Sequence, residues 1–228
     1  MAKIKFGMMM TDASGKLGGQ VFSKNRSGSY VRTKVTPTNP QTTAQTAARS
    51  LFAQISQTWS SLSENRLNAW RSAVDQWQRT DVFGDLKRPT GKALYQRLNN
   101  QAIVAGYEGV TDPPEVDKVA SSVIESVLIN TNLEDVTVGN LDLSGDSKIM
   151  IFATPKLSQG TKFVKNKLRL IYTVTTDAYN DRDVYMAYTN KFGAPAVGDN
   201  IYFSFKYVSP TGNASVEQSI KADIEFIA

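Results

Sequence analysis

The 228-residue chain contains no cysteine and no histidine. Their absence excludes thiol nucleophiles, disulfide bonds, imidazole metal ligands and every catalytic arrangement that pairs serine or cysteine with histidine. An enzyme built from this chain would have to rely on carboxylates, lysine, tyrosine or serine. No two carboxylates stand at a spacing that suggests acid–base catalysis. The sequence therefore predicts a protein that is not an enzyme and that has no cofactor and no metal site.

Long hydrophobic runs are also missing. No stretch approaches the roughly 18–20 apolar residues that cross a bilayer, and residues 1–7 lack the apolar run of a signal peptide. Apolar residues make up 41% of the chain and charged residues 21%, which is typical of globular proteins and argues against disorder throughout. We therefore expect a soluble protein that is made in the cytoplasm and does not contact a membrane.

The charge is distributed unevenly along the chain, whose net charge is +5. Residues 1–110 hold seven Lys and eight Arg against six acids, a net charge of +9. Residues 111–228 hold nine Lys and two Arg against fifteen acids, a net charge of −4. Together with the glycines and prolines between Gly106 and Pro114, this change of sign predicts a domain boundary near residue 110.

Residues 1–41 are predicted to form an extended basic arm. They hold seven basic residues and five glycines against one acid, Asp12, and few apolar residues. Such a segment buries too little apolar surface to offset the entropy of ordering it, so we expect it to become ordered only against a partner. The candidate partner-contacting residues are Lys16, Lys24, Arg26, Tyr30, Arg32 and Lys34. Basic residues beside an aromatic ring also fit nucleic acid, which we keep as the less favoured partner.

Residues 42–110 are predicted to form two or three helices. Apolar residues recur at steps of three and four from Ala44 to Leu62, which indicates one helical face. The sequence Ser61-Leu-Ser-Glu64 matches a capping box that would begin a second helix. Thr90 is expected to cap a third helix that ends at Gly106, after a loop over residues 78–89.

Trp59, Trp70 and Trp77 lie at helical spacing among leucine and valine residues. Aromatic residues at such positions usually belong to a core. Short amphipathic helices have little core of their own, however, so these rings are also candidate interface aromatics. We favour the core of the same chain and keep the interface as the alternative.

Residues 111–228 contain short runs with alternating, β-branched or aromatic residues, separated by turn signals. Strands are expected at 119–129, 136–138, 148–152, 168–174, 184–188, 201–208 and 220–226. Six or seven strands in this length favour an antiparallel β-sandwich of immunoglobulin-like architecture. The predicted fold class is therefore α+β, with domains at 1–41, 42–110 and 111–228.

Asp177, Asn180, Asp181 and Asp183 form the densest group of oxygen ligands in the sequence. Hard cations bind where several oxygens converge from one loop, but this spacing does not match a calcium-binding EF-hand loop. The pattern favours a solvated hairpin turn over a metal site.

Three segments carry fixed glycines, prolines and tryptophans in a characteristic order. The first, residues 15–32, reads G-K-x-G-x-x-V-x-x-x-N-x-x-G-x-Y-x-R, and the second, residues 39–45, reads N-P-x-T-x-x-Q. The third is Trp59-Ser-Ser-Leu-Ser-Glu-Asn-Arg-Leu-Asn-Ala-Trp70. Together they resemble a family of structural proteins of tailed bacteriophages and prophages. The resemblance covers roughly residues 13–75 and implies a virion component without catalytic residues.

The resemblance and the basic arm lead to one expectation of function. We expect an auxiliary capsid protein, minor or decorating, whose arm ties neighbouring subunits of the virion together. Its partners would be the major capsid protein or other virion proteins, with many copies in one assembly. A head–tail connector, ring or tail subunit is the alternative, and a nucleic-acid-binding protein is a less favoured one.

Overall fold

The computed structural model describes residues 2–3, 7–8, 12–25, 28–80, 86–119, 121–141, 146–161, 163–174 and 180–225. The chain divides into two compact units, Met1–Ala47 and Ala48–Ala228. The predicted boundary near residue 110 therefore does not separate two units. Most of the helical segment belongs to the same unit as the C-terminal strands.

The first unit contains one antiparallel sheet, which we call the N-terminal sheet, and it differs from the predicted extended arm. Its strands lie in the order β1-β4-β3-β2. They are β1 (Ala2–Lys3), β2 (Gly15–Leu17), β3 (Gln20–Asn25) and β4 (Gly28–Thr33). Gly18 and Gly19 form the two-residue turn between β2 and β3, and Gly18 has a φ of 55°, which glycine adopts without a steric penalty.

The helices of the second unit follow the predicted pattern closely. They are α1 (Thr43–Ser61), which begins in the first unit, α2 (Glu64–Ala73) and α3 (Gly91–Val104). A 3₁₀ helix, Val74–Trp77, continues from α2. Thr90 caps α3 as predicted, because its Oγ1 accepts a hydrogen bond from the backbone N–H of Ala93 at 3.2 Å. Gly106, with a φ of 80°, follows the end of this helix.

Two local predictions in this region are wrong. Ser61 does not begin a capping box, because it is the last residue of α1, and Ser63 precedes α2 without a side-chain capping bond. The predicted loop at 78–89 contains two short paired strands, β5 (Arg79–Thr80) and β6 (Leu86–Lys87).

The three helices pack around the tryptophans. Trp70 is fully buried, and its Nε1 donates a hydrogen bond to the carbonyl of Thr111 at 2.9 Å. The ring of Tyr95 lies edge-on to Trp70, with 5.2 Å between centroids, and contacts Trp59 at 5.3 Å. Trp70 and Trp77 therefore belong to the core of their own chain, not to an interface, whereas Trp59 is half-buried.

The C-terminal strands form two sheets. They are β7 (Ser126–Asn130), β8 (Asp135–Gly139), β9 (Lys148–Ala153), β10 (Arg169–Val174), β11 (Tyr202–Val208), β12 (Gln218–Lys221) and β13 (Asp223–Glu225). One sheet has the order β10-β9-β11-β12 and is antiparallel. The other has the order β13-β7-β8, and its β13 runs parallel to β7. The α+β class is confirmed, and the immunoglobulin-like sandwich stays a prediction.

The predicted strand at 184–188 is wrong, because these residues lie in a helix, α4 (Asp181–Phe192). Its Val184, Tyr185 and Tyr188 fall on one buried helical face, although their β-branched and aromatic character resembles that of a strand. Burial, followed by the nearby Asp199 carboxylate, raises the pKa of Tyr188 well above its usual value.

The oxygen-ligand cluster has a structural explanation in α4. Asn180 caps this helix by accepting a hydrogen bond from the N–H of Arg182 at 3.1 Å, and Asp181 and Asp183 occupy the first turn. Carboxylates stabilise a helix at this end. The cluster is therefore not a hairpin turn, and Asp177 lies outside the described residues. Among those residues, no group of three or more acidic side chains could hold a metal ion.

Both C-terminal sheets and α4 share one apolar core. Its largest fully buried members include Ile129, Ile149, Ile151, Phe203 and Tyr188. A smaller cluster joins the end of α3 to β9 and β11, with Ala105, Met150 and Val208 buried. The helices and the sheets are therefore held together by side-chain packing within the second unit.

One close backbone approach fixes α3 against the turn that follows β11. Gly212 has a φ of 78°, and a Cβ atom placed on it would lie 2.2 Å from the carbonyl oxygen of Leu98 in α3. That distance is far below a van der Waals contact, so only glycine fits between this turn and the helix. Gly160 has a similar φ of 88° but no neighbouring atom within 4 Å of the same position.

We predict that Gly212→Ala destabilises the protein far more than Gly160→Ala. The left-handed backbone alone costs an alanine about 1–2 kcal/mol, which is the expected effect at Gly160. At Gly212 the clash with α3 adds about 1–3 kcal/mol or more. Denaturant unfolding followed by circular dichroism measures both changes. Equal losses of unfolding free energy in the two variants would contradict this contact between the turn and α3.

Candidate functional site

The N-terminal sheet has two different faces, which follow from its register. Lys16 pairs with Val21, and Val21 pairs with Arg32, so these three side chains share one face. Tyr30 lies two residues before Arg32 and is on the same side of the sheet. We call this side, which presents Lys16, Tyr30 and Arg32, the basic face.

A concave surface lies on the basic face. The backbone N–H of Lys34 donates to the carbonyl of Gly19 at 2.8 Å, which holds the end of β4 beside the first turn. A cavity of about 320 Å³ is lined by Lys16, Val21, Arg32, Lys34, Val35, Thr36 and Pro37. Its lining thus combines three cations with apolar side chains and includes no acid. Such a surface attracts anionic groups and also offers apolar contact.

The opposite side of the sheet, which we call the apolar face, carries Leu17, Phe22 and Val31. Phe22 and Val31 are cross-strand partners, and Leu17 of β2 points to the same side. Phe22 and Val31 are only half-buried, and Leu17 is 73% exposed. Lys24 also lies on this side and forms an exposed ion pair with Asp12 at 3.4 Å, which contributes about 0–1 kcal/mol.

None of residues 7–8, 12–24 and 29–47, the part of Met1–Ala47 whose side-chain exposure the structure describes, is buried. A sheet normally needs an apolar face packed against something else to be stable in water. In addition, β1 and β2 are the two edge strands of the sheet, so each has one edge without a hydrogen-bonded neighbour in this sheet. Unpaired edges are templates for strand pairing with another chain. Within its own unit, the N-terminal sheet therefore has no buried face, and its two outermost strands each have an unpaired edge.

The structure brings together some of the predicted contact residues and separates others. Lys16, Tyr30, Arg32 and Lys34 gather at the basic face, whereas Lys24 lies on the apolar face. Arg26 lies outside the described residues. Sequence reasoning did not identify the face that carries Leu17, Phe22 and Val31. The usable signal was two short runs of strand-forming residues, Gln20–Phe22 and Tyr30–Val31, in a glycine-punctuated segment.

None of the helices in the described part of the chain combines the length and the hydropathy needed to span a bilayer.

We predict that trypsin cleaves the free protein first in the N-terminal sheet. Cleavage requires local unfolding, which costs little where no residue is buried. Cuts after Lys16, Arg32 and Lys34 should therefore precede cuts after Lys148 in β9 and Lys206 in β11. Mass spectrometry of timed digests identifies the order. Cleavage in the N-terminal sheet as slow as cleavage in β9 and β11 would contradict this prediction.

No protein-family model matches the chain, and no curated protein or solved structure is significantly similar to it.

Proposed function

We propose that this chain is a non-enzymatic structural protein of a tailed-bacteriophage virion. Its role is that of an auxiliary capsid protein, minor or decorating, which ties neighbouring capsid subunits together through its N-terminal sheet. The observation that carries this proposal is that none of residues 7–8, 12–24 and 29–47 is buried, although this unit forms four registered strands. The resemblance of residues 13–75 to phage structural proteins supports the same role.

The apolar face supplies the main binding energy in this proposal. Fully burying a side chain such as Leu17 or Phe22 against a partner contributes about 1.5–3 kcal/mol. The free edge of β2 can add main-chain hydrogen bonds to a strand of a neighbouring subunit. Because a shell presents many equivalent sites, modest affinity at each site is sufficient for stable attachment. The favoured partner is the major capsid protein.

The second unit acts as a rigid block in the assembled virion. Its two C-terminal sheets and α4 are closed by one apolar core, with Ile129, Ile151 and Phe203 almost without exposed surface. We propose that the two sheets face each other as a sandwich, as the strand pattern predicts. The protein would be made in the host cytoplasm and act in the virion.

The basic face supports nucleic acid as a second candidate partner. Lys16 and Arg32 provide phosphate-binding cations, and Tyr30 on the same face provides a ring for base stacking. The apolar side chains on the other face have no role in such binding. Protein contact therefore accounts for both faces, and nucleic acid for one.

We predict that Leu17→Ser reduces incorporation into particles by about 10- to 100-fold, because it removes about 1.5–3 kcal/mol of apolar burial at the interface. Leu133→Ser is the matched control, since Leu133 is a 64% exposed leucine in the second unit and Leu17 is 73% exposed. Both variants should melt at the temperature of the unchanged protein. Quantitative mass spectrometry of purified particles of the encoding phage measures the copy number.

The same measurement tests the location of the subunit. Hundreds of copies per particle support a shell protein, and six or twelve copies favour the head–tail axis or the tail. Absence of the unchanged protein from particles, or equal incorporation of the Leu17→Ser and Leu133→Ser variants, would contradict the proposal.

A salt titration tests the nucleic-acid candidate. We predict that duplex DNA binds only at low salt and that binding is lost near 150 mM salt, because affinity based on a few phosphate contacts falls steeply as counterions compete. Fluorescence anisotropy with a short labelled duplex measures the dissociation constant. Submicromolar binding near 150 mM salt that is abolished by Arg32→Gln would instead support a nucleic-acid-binding protein.

A further inference from the structure

The basic face carries three cations in an arrangement that the strand register fixes. Lys16 lies opposite Val21, and Val21 lies opposite Arg32, so Lys16 and Arg32 stand on one row, two strands apart. Lys34 follows Arg32 by two residues and lines the same cavity. From the usual strand spacing and rise, the Cα atom of Arg32 is about 10 Å from that of Lys16 and about 7 Å from that of Lys34. The cations therefore form a triangle with Arg32 at its corner.

The outer side of the sheet β13-β7-β8, which we call the acidic face, carries three acids. Glu225 pairs with Asn130, and Asn130 pairs with Asp135, so Glu225 and Asp135 stand on one row, two strands apart. Asp223 precedes Glu225 by two residues on β13. Val136, next to Asp135, is buried in the apolar core, so the three carboxylates lie on the opposite side. They form a triangle of the same dimensions, with Glu225 at its corner.

The two triangles are mirror images when each face is viewed from outside. The bond from the N–H of Lys34 to β3 shows that Arg32, two residues earlier, also has its backbone groups directed at β3. The carbonyl of Glu225 accepts from the N–H of Thr131 at 3.2 Å, so its backbone groups are directed at β7. In L-residues this puts the middle strand on the same side of both corner residues. Lys34 follows Arg32 along its strand, whereas Asp223 precedes Glu225, so the triangles have opposite hands.

We propose that the basic face of one copy of this chain docks on the acidic face of a second copy. Two faces can meet with every cation opposite an acid only when their charges are arranged as mirror images. The opposed pairs are Arg32 with Glu225, Lys34 with Asp223, and Lys16 with Asp135. Among the described residues, none of these six has an ion-pair partner in its own chain. Complementary charges of this kind fix the register of a contact and select the partner.

The contact is head-to-tail, because its two faces belong to different parts of the chain. Each added copy leaves one basic and one acidic face free, so copies can continue into a ring or a filament. The overall charges act in the same direction, since residues 1–41 hold seven basic residues against one acid and residues 111–228 have a net charge of −4. The contact leaves the apolar face free for the proposed virion contact and does not depend on that function.

Sedimentation velocity of the full-length chain tests whether copies associate. The sedimentation coefficient should rise with protein concentration at about 50 mM salt and return towards that of a monomer at about 500 mM salt, because salt screens exposed charges. A monomer at every concentration in both salts would overturn the proposal. A monomer whose basic face binds duplex DNA would overturn it as well and would assign this face to nucleic acid.

Charge reversal tests the pairing itself. Arg32→Glu and Glu225→Arg should each weaken association about tenfold or more, because like charges then meet across the contact. The double variant, which carries both changes and keeps the net charge of the unchanged chain, should restore association. Lys24→Glu is the control, since it changes the net charge as Arg32→Glu does but lies on the apolar face.

Thermal unfolding followed by circular dichroism shows whether each variant folds. All of them should melt at the temperature of the unchanged protein, because neither Arg32 nor Glu225 is buried. Association of the double variant no tighter than that of the single variants would overturn the proposal. So would equal weakening by Arg32→Glu and Lys24→Glu, which would reveal a response to net charge alone.

Discussion

The constraint on which this molecule depends is that an apolar sheet face must be covered. In the N-terminal sheet, Phe22 and Val31 stand opposite each other and Leu17 lies beside them, yet none of the three is buried. Hydrogen bonds between strands contribute little net free energy when water offers the same bonds to the open chain. A partner polypeptide would supply this covering surface, which is why we propose assembly as the function.

In the second unit, by contrast, many large apolar side chains are buried in clusters. Its helices surround Trp70, its two C-terminal sheets and α4 share a core, and a third cluster joins α3 to β9 and β11. The turn at Gly212 lies so close to the backbone of Leu98 that no Cβ atom fits between them. One chain thus combines a unit that has buried apolar clusters with a sheet whose described side chains are not buried.

The helices and strands that were predicted correctly are specified by residues that lie close together in the sequence. The apolar period of α1, the Thr90 cap of α3 and the runs of β9 and β11 depend on neighbouring residues alone. The strand predicted at 184–188 failed because residue type and residue spacing indicate different structures there. Val184, Tyr185 and Tyr188 are strand-forming residue types, but their spacing and the Asn180 cap fit a helix. At the candidate site, sequence identified the cations but not Phe22 and Val31, because their pairing depends on register.

Hydrogen exchange of backbone amides in the free full-length chain tests the central claim most directly. If the N-terminal sheet depends on a partner for its stability, amides of β3 and β4 exchange rapidly in the free protein, while those of β9 and β11 stay protected. The same β3 and β4 amides become protected when the chain is part of a particle. Protection of β3 and β4 in the free chain equal to that of β9 and β11 would contradict the account.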